Sequence, residues 1–340
     1  MDTPILECVP NFSEGRDAAL IRDLGSCAAS VPGVCVLGLE AGYDAHRTVM
    51  SFAGAPGAVA EAAFRCLKLA AERIDMRLHR GSHPRLGAAD VCPLVPVRGI
   101  SLEQAAELAR QLGRRVGEAL GVPVYLYEAA ASNPSRRNLA EVRRGQYEGL
   151  AHRLKDPRWI PDFGPARFVA RSGAFIIGAR RILIAYNIHL NSSSKALADT
   201  LARELREKGH PSEDSEARTG LRSLKAIGWY VPSYGCAQVS MNLTDFEHCG
   251  LARAYEACRF RASLHGVELN GSELIGLAPW KALEEAGRFY AGPDGQASAG
   301  QPELLAAAVR GLGLDRMATF KPEEKILEKA LEACQNTKRL

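Results

Sequence analysis

The chain has 340 residues, 46% of them apolar and 24% charged, the profile of a globular protein long enough for two domains. Its 43 basic and 39 acidic side chains leave a net charge of +4. That small, dispersed excess argues against a nucleic-acid binder and agrees with anionic small-molecule ligands.

The N-terminus, MDTPILECVPNF, lacks the basic region and apolar core of a secretory signal. No apolar run approaches the roughly 20 residues of a membrane helix, so a cytoplasmic protein without membrane partners is expected. The cysteines at 8, 27, 35, 66, 92, 236, 249, 258 and 334 are odd in number and form no C-x-x-C pair. Neither a disulfide framework nor a cysteine zinc site is expected, which fits a reducing compartment.

In chain order, Ile5 to Pro10 reads as a strand and Asp17 to Ala29 as a helix, with Ala19, Leu20, Leu24 and Cys27 on or near one face. Val34 to Leu39 and Thr48 to Phe52 read as strands joined by a hairpin-like connection, Glu40 to Arg47. An alanine-rich helix over about residues 57–73 precedes a loop, the strand Val91 to Val97, a helix at about 102–120 and the strand Val122 to Leu126. Up to Val97 the order is β-α-β-β-α-β.

The second half repeats that order. Ile182 to Ile188 reads as a strand, and Ser194 to Lys208 as a helix capped by the Ser192–Ser194 run. Lys225 to Val231 and Cys236 to Asn242 pair across the turn Pro232–Gly235. Asp245 to Leu264 reads as a long helix with Asp245 as N-cap, and Val267 to Asn270 as the closing strand. Helices near 278–289, 302–312 and 322–334 complete the chain. The expected fold is α+β: two ferredoxin-like β-α-β-β-α-β subdomains, residues 1–180 and 181–335, with antiparallel-containing sheets and a ligand groove between them. The proline- and glycine-rich stretch Asp156 to Gly178 before the break near Arg180 reads as a linker or a ligand loop.

The loop His79-Arg-Gly-Ser-His-Pro-Arg-Leu-Gly-Ala-Ala-Asp90 concentrates the chemistry. His79 and His83 have the i,i+4 spacing of two zinc ligands on a helix, but Arg80 stands where the usual glutamate would be. Gly81 and Pro84 also break any helix there, so no metal is expected. Imidazole titrates near neutrality, which makes His83 a candidate acid/base, with its backbone restrained by Pro84. Arg85 offers a fork of donors for a substrate carboxylate. On these residues alone the loop reads first as a polar turn, with the acid/base reading open. Glu40, at the end of an apolar strand, is a second candidate. Asp162 to Gly173 is a third, its glycines permitting close backbone approach and its two phenylalanines offering flat apolar surface. It carries neither the phosphate-loop nor the dinucleotide signature, and no G-x-S-x-G elbow or RNP1 strand occurs elsewhere.

Several stretches together resemble the formiminotransferase domain of the formiminotransferase-cyclodeaminase family. They are Glu7-Cys-Val-Pro-Asn-Phe-Ser-Glu-Gly15, Arg47-Thr-Val49, His83-Pro-Arg85, Asp90-Val-Cys-Pro93, Val122-Pro-Val-Tyr-Leu-Tyr127, Asp162-Phe-Gly-Pro165, Gly228-Trp-Tyr230 and Ala237-Gln-Val239, in family order. Leu312-Gly-Leu-Asp315 and Lys321-Pro-Glu-Glu324 fit the domain's end. The resemblance implies transfer of the formimino group of N-formimino-L-glutamate to N5 of tetrahydrofolate, a late step of histidine degradation that feeds one-carbon metabolism. It implies tetrahydrofolate as co-substrate, no metal, a homodimer, and a monofunctional chain without the cyclodeaminase domain. By the same resemblance His83 is the catalytic histidine. The folate-binding segment falls on Gly164, Pro165, Ala166, Arg167, Phe168, Val169, Ala170, Arg171, Ser172 and Gly173. Glu40 stands where the animal enzymes have aspartate, and Tyr43 to His46, Arg167 and Arg171 depart from the animal pattern. Formyl transfer from N-formylglutamate, a non-catalytic folate-binding protein and an interaction module are the alternatives.

Overall fold

A computed structural model describes residues 3–206, 220–296 and 300–337. The chain divides into two units, Met1–Arg181 with Cys334–Leu340, and Ile182–Ala333.

The first unit opens with β1 (Ile5–Cys8) and β2 (Asn11–Phe12). The expected single strand Ile5 to Pro10 is thus interrupted at Val9-Pro10, where proline has no N–H to give a ladder. Helix α1 (Ala18–Ala29) begins at the Asp17 carboxylate, which accepts from the amides of Ala19 and Leu20. Strands β3 (Cys35–Gly42) and β4 (Arg47–Gly54) form an antiparallel hairpin. Helix α2 (Pro56–Arg73) starts with proline in its first turn, where no amide is missed. β5 (Ala89–Arg98) leads to α3 (Leu102–Leu120), begun by a Ser101–Gln104 capping box and ended by left-handed Gly121.

The sheet runs β3-β4-β1/β2-β5, the antiparallel ferredoxin-like order, because β1 and β2 pair with both β4 and β5. Two more strands extend it, one expected from the sequence as Val122 to Leu126 and one not. β6 (Val124–Glu128) lies at the edge, and β7 (Phe175–Ala179) inserts parallel between β5 and β6. Asp156 to Gly178 is therefore no linker, since β7 lies within it save for its last residue and Val124 N donates to Phe163 O at 2.9 Å. An all-apolar pentapeptide after a glycine-rich loop gives no periodicity from which to read a strand.

Leu6, Cys8, Phe12, Met50, Phe52 and Leu94 face α1–α3 and meet Leu24, Leu67 and Val116 in one core. Each such large apolar side chain contributes about 1.5–3 kcal/mol by leaving water. On the opposite face, Ser51 and Ala53 of β4 and Cys35 of β3 are buried as well. Elsewhere that face is covered by α4 (Leu139–Val142) and α5 (Gln146–Arg153), whose Val142 and Leu150 pack with Val91, Tyr125, Tyr127 and Ile176.

The second unit repeats the motif: β8 (Ile184–Leu190), α6 (Lys195–Leu205), β9 (Leu224–Val231), β10 (Cys236–Leu243), α7 (Leu251–Leu264) and β11 (Leu269–Ile275). Its fully antiparallel sheet has the order β11-β8-β10-β9. The last two residues of the helix expected over Ser194 to Lys208 lie outside the described residues. Asp245 is not an N-cap: that position is held by Gly250, and the Asp245 carboxylate instead takes the amide of Glu247 and pairs with His248 Nδ1 at 2.8 Å. Helices α8 (Trp280–Gln296, broken at Gly292), α9 (Gln301–Leu312), α10 (Pro322–Lys325) and α11 (Leu327–Thr337) follow.

Cys35 and Cys334, both of the first unit, are joined as a disulfide with a Cα–Cα distance of 6.0 Å. This corrects the expectation of free cysteines. The partners are 299 residues apart, and only the fold brings them within bridging distance. Among the described residues no helix is long and apolar enough to cross a membrane.

Candidate active site

The β3–β4 hairpin and the loop after α2 build one another. The strands run to Gly42 and resume at Arg47, so the true tip is only Tyr43–His46. The Ser82 amide and hydroxyl both donate to Asp44 O at 3.1 Å. A Cβ at Gly81 would collide with the Ala45 carbonyl, so only glycine lets the loop lie this close. His46 donates from Nδ1 to Arg80 O at 2.9 Å, and its Nε2 meets Glu14 Oε1 at 3.1 Å. The same Glu14 oxygen collects the amides of Gly15, Arg16 and Asp17.

His79 is more than the incidental loop polarity that its sequence context suggests. It is buried, stacks on His46 at 4.3 Å, and donates from Nε2 to His46 O at 2.8 Å. Its Nδ1 accepts from Arg85 Nε at 3.2 Å, so both ring nitrogens are engaged. Arg85 is likewise redirected from the expected role. Its fork closes on the protein's own Glu148, at 2.8 and 2.6 Å, leaving it no free edge for a substrate carboxylate.

The electrostatic centre is Asp90, fully buried at the start of β5. It accepts from Arg47 Nη1 at 2.6 Å, from Arg143 Nη2 and Nε at 2.6 and 3.2 Å, and from the Leu86 amide at 2.9 Å. Asn11 Oδ1 takes Arg47 Nε at 3.1 Å. Burial alone would raise the Asp90 carboxyl, but the Arg143 and Arg47 guanidiniums hold it down at about 2. Burial pushes Arg47 down to about 10, with Asp90 opposing that shift.

Half-buried His83 stands beside this centre. Its Nδ1 donates to Pro84 O at 2.7 Å, since a carbonyl can only accept, and this fixes the tautomer. Nε2 is left as a bare lone pair with no partner among the described residues. Burial, then the guanidiniums of Arg47 and Arg143, push the imidazole down to about 3 against the opposing charge of Asp90. His83 is therefore neutral at physiological pH, an acceptor at Nε2 that gives up any proton readily.

Glu40 lies in register with Val49, Val49 with Asn11, and Asn11 with Val91, so the four share the sheet face away from α1–α3. Arg47, two residues before Val49, lies on that face too. The segment Gly164 to Gly173 joins the same neighbourhood at its C-terminal end. Ala88 N donates to Ser172 O at 2.8 Å, Ala174 N to Leu86 O at 3.3 Å, and Gly87 bridges to Gly173. Phe168 packs on Tyr147, whose hydroxyl donates to Ala170 O at 2.6 Å. Arg171 turns away to the end of α2, donating to Glu72 O at 2.7 Å, whereas Arg167 is exposed. Ser172 Oγ is buried with no hydrogen-bond partner among the described residues.

Sequence reasoning assigned no role to Arg47, Asp90 or Arg143. Asp90 was detectable: a carboxylate inside Ala88-Ala89-Asp90-Val91 is bound for burial and needs a cation. Arg143 carried no local signal, because it is delivered by the far end of α4.

Residues 5–180 match the family model described as the formiminotransferase domain, N-terminal subdomain, and residues 185–332 match that of the formiminotransferase domain. The chain belongs to the formiminotransferase domain family. It is 41% identical to the glutamate formimidoyltransferase of Streptococcus pyogenes serotype M1, over 84% of this chain and 93% of that protein. It is 43% identical to the glutamate formimidoyltransferase of Thermoplasma acidophilum, over 84% and 92% respectively. It is also 43% identical to the formimidoyltransferase-cyclodeaminase of Rattus norvegicus, over 95% of this chain but only 59% of that protein. The chain therefore spans about three-fifths of that longer relative. Within the formiminotransferase family match, Asp90, Arg47, His83 and the segment Gly164 to Gly173 all fall in the part matched by the N-terminal subdomain model.

Proposed function

We propose that the protein transfers the formimino group of N-formimino-L-glutamate to N5 of tetrahydrofolate, giving 5-formiminotetrahydrofolate and L-glutamate. Family membership and the names of the relatives support the reaction. The observation that carries the residue assignment is His83, whose Nδ1 proton is tied to Pro84 O while Nε2 keeps an unengaged lone pair.

In this reading N5 of tetrahydrofolate attacks the amidine carbon of the donor. The new C–N bond forms as His83 Nε2 accepts the N5 proton. The tetrahedral intermediate then breaks its bond to the glutamate nitrogen, which receives the proton back from His83 and leaves as the amine of L-glutamate. One imidazole serves both steps, and catalysis of this kind contributes about 10²–10⁴-fold. A ring held neutral is always ready for the first transfer, and its strongly acidic conjugate acid favours the second. Glu40, on the same sheet face as Arg47, supplies negative charge for the cationic intermediate. Residues Gly164 to Gly173 bind the folate, and residues 1–180 and 181–335 are the two subdomains.

The test is a formimino-transfer assay of the purified chain and of His83→Ala. The wild type is expected to form 5-formiminotetrahydrofolate, and the variant to lose about two or more orders of magnitude in kcat with its fold retained. Near-wild-type turnover in the variant would remove His83 from the reaction.

A further inference from the structure

Arg47, Asp90 and Arg143 do more than stabilise a strand end. The cluster carries two guanidiniums and one carboxylate, so one positive charge is left over beside His83. The hydrogen bonds also leave specific atoms open. Arg47 uses Nε on Asn11 and Nη1 on Asp90, whereas its Nη2 has no hydrogen-bond partner among the described residues. Arg143 uses Nε and Nη2 on Asp90, and its Nη1 is likewise unpartnered. Neither atom is sealed from solvent, since among the described residues the fully enclosed, unbonded arginine nitrogens are those of Arg136 and Arg206. Arg143 retains 16% side-chain exposure and Arg47 7%. Two preorganised donors with a surplus positive charge are complementary to an anion, and a carboxylate fits two such donors with its two oxygens.

We infer that Arg47 and Arg143, held in place by Asp90, bind the α-carboxylate of the formimino donor. The inference rests on the proposed transfer reaction and names a substrate site within it. The donor and tetrahydrofolate both carry glutamyl carboxylates, and chemical distance chooses between them. In formiminoglutamate the α-carboxylate sits one carbon from the nitrogen bearing the formimino group. In tetrahydrofolate the nearest carboxylate is separated from N5 by a methylene bridge and the whole aminobenzoyl amide. An anion bound next to the acid/base His83 thus belongs to the donor. The bound carboxylate would also offset the positive field that keeps His83 a weak base, so the imidazole becomes a better proton acceptor when donor is present. Arg85, its fork already closed on Glu148, is not part of this site.

Initial-rate kinetics on wild type and Arg143→Gln, with each substrate varied separately, test the site alongside calorimetric titration with L-glutamate, the leaving product. Loss of a charge-assisted pair is expected to raise the KM for formiminoglutamate and the Kd for L-glutamate by about 10–100-fold. The KM for tetrahydrofolate should stay near wild type. A KM change confined to tetrahydrofolate, no change in either KM, or no binding of L-glutamate by the wild type would overturn the assignment. If Arg143→Gln does not fold, Arg143→Lys decides. It keeps the charge but not the fork and should show the same donor-selective weakening, whereas wild-type constants would overturn the site. If the wild type transfers no formimino group, the functional reading has failed. The calorimetric arm then judges the site alone: a glutamate heat lost in the variant supports it, and an unchanged heat overturns it.

Discussion

Replacing Asp90 with Asn keeps the shape of the side chain and removes its charge. Four hydrogen bonds converge on the native carboxylate, three from guanidinium nitrogens and one from the Leu86 amide, and it is fully buried. In Asp90→Asn the Arg47 and Arg143 guanidiniums face one another with no counter-ion, and the amide NH₂ points a donor at donors. Breaking a buried ion pair from one side costs about 3–5 kcal/mol, most of it the unpaired charge left behind. In a unit of this size that lowers the melting temperature by roughly 6–20 °C. Differential scanning calorimetry of Asp90→Asn, Arg143→Gln and the double variant provides the measurement. Because Arg143→Gln removes half of the stranded charge, the double variant should be clearly more stable than the sum of the two losses predicts. A single-variant loss below about 0.5 kcal/mol, or strict additivity, would refute the picture of one carboxylate holding two buried cations.

Stability should also fall on acidification through the His83 imidazole. Its folded value of about 3 lies below the ordinary 6.5 of the unfolded chain, so the unfolded state binds the proton first. Stability is then lost as pH drops from about 6.5 toward 3, by about 3 kcal/mol at pH 4. Urea unfolding of wild type and His83→Asn at a series of pH values checks this, and parallel curves would contradict it. The Cys35–Cys334 disulfide predicts a tryptic peptide pair linked through those residues under non-reducing conditions. It also predicts a stability loss of about 2–5 kcal/mol in Cys334→Ser, measured by thermal melting. Two unlinked peptides and an unchanged melt would discard it.

The alternation of apolar runs with helical periods was enough to read the β-α-β-β-α-β order twice, because each element there has its own local pattern. Ser101 with Gln104, and Asp17 before α1, act within a few residues of where they stand. Asp245 shows the limit of that reading. It is a good cap residue by type, but a turn at residues 246–248 separates it from the helix, so the carboxylate pairs with His248 instead. β7 was illegible for another reason. Its residues are apolar on both faces, and its place between β5 and β6 is set by parallel pairing with strands 50 and more residues earlier in the chain.

For the candidate site, the sequence by itself singled out the loop that holds His83 and the segment Gly164 to Gly173, through turn chemistry and family resemblance. It could not say which arginine meets which carboxylate. Arg85 looked available because it follows His83-Pro84, but its guanidinium is committed to Glu148 from α5. Arg143 gave no sign in its neighbours, but it arrives at Asp90 from 53 residues away. Local propensities act over a turn or two of chain, and the sequence displays them directly. Charge pairing inside a fold depends on distances set only when the sheet, α4 and α5 close together, and so the pairing around His83 was decided by the tertiary structure.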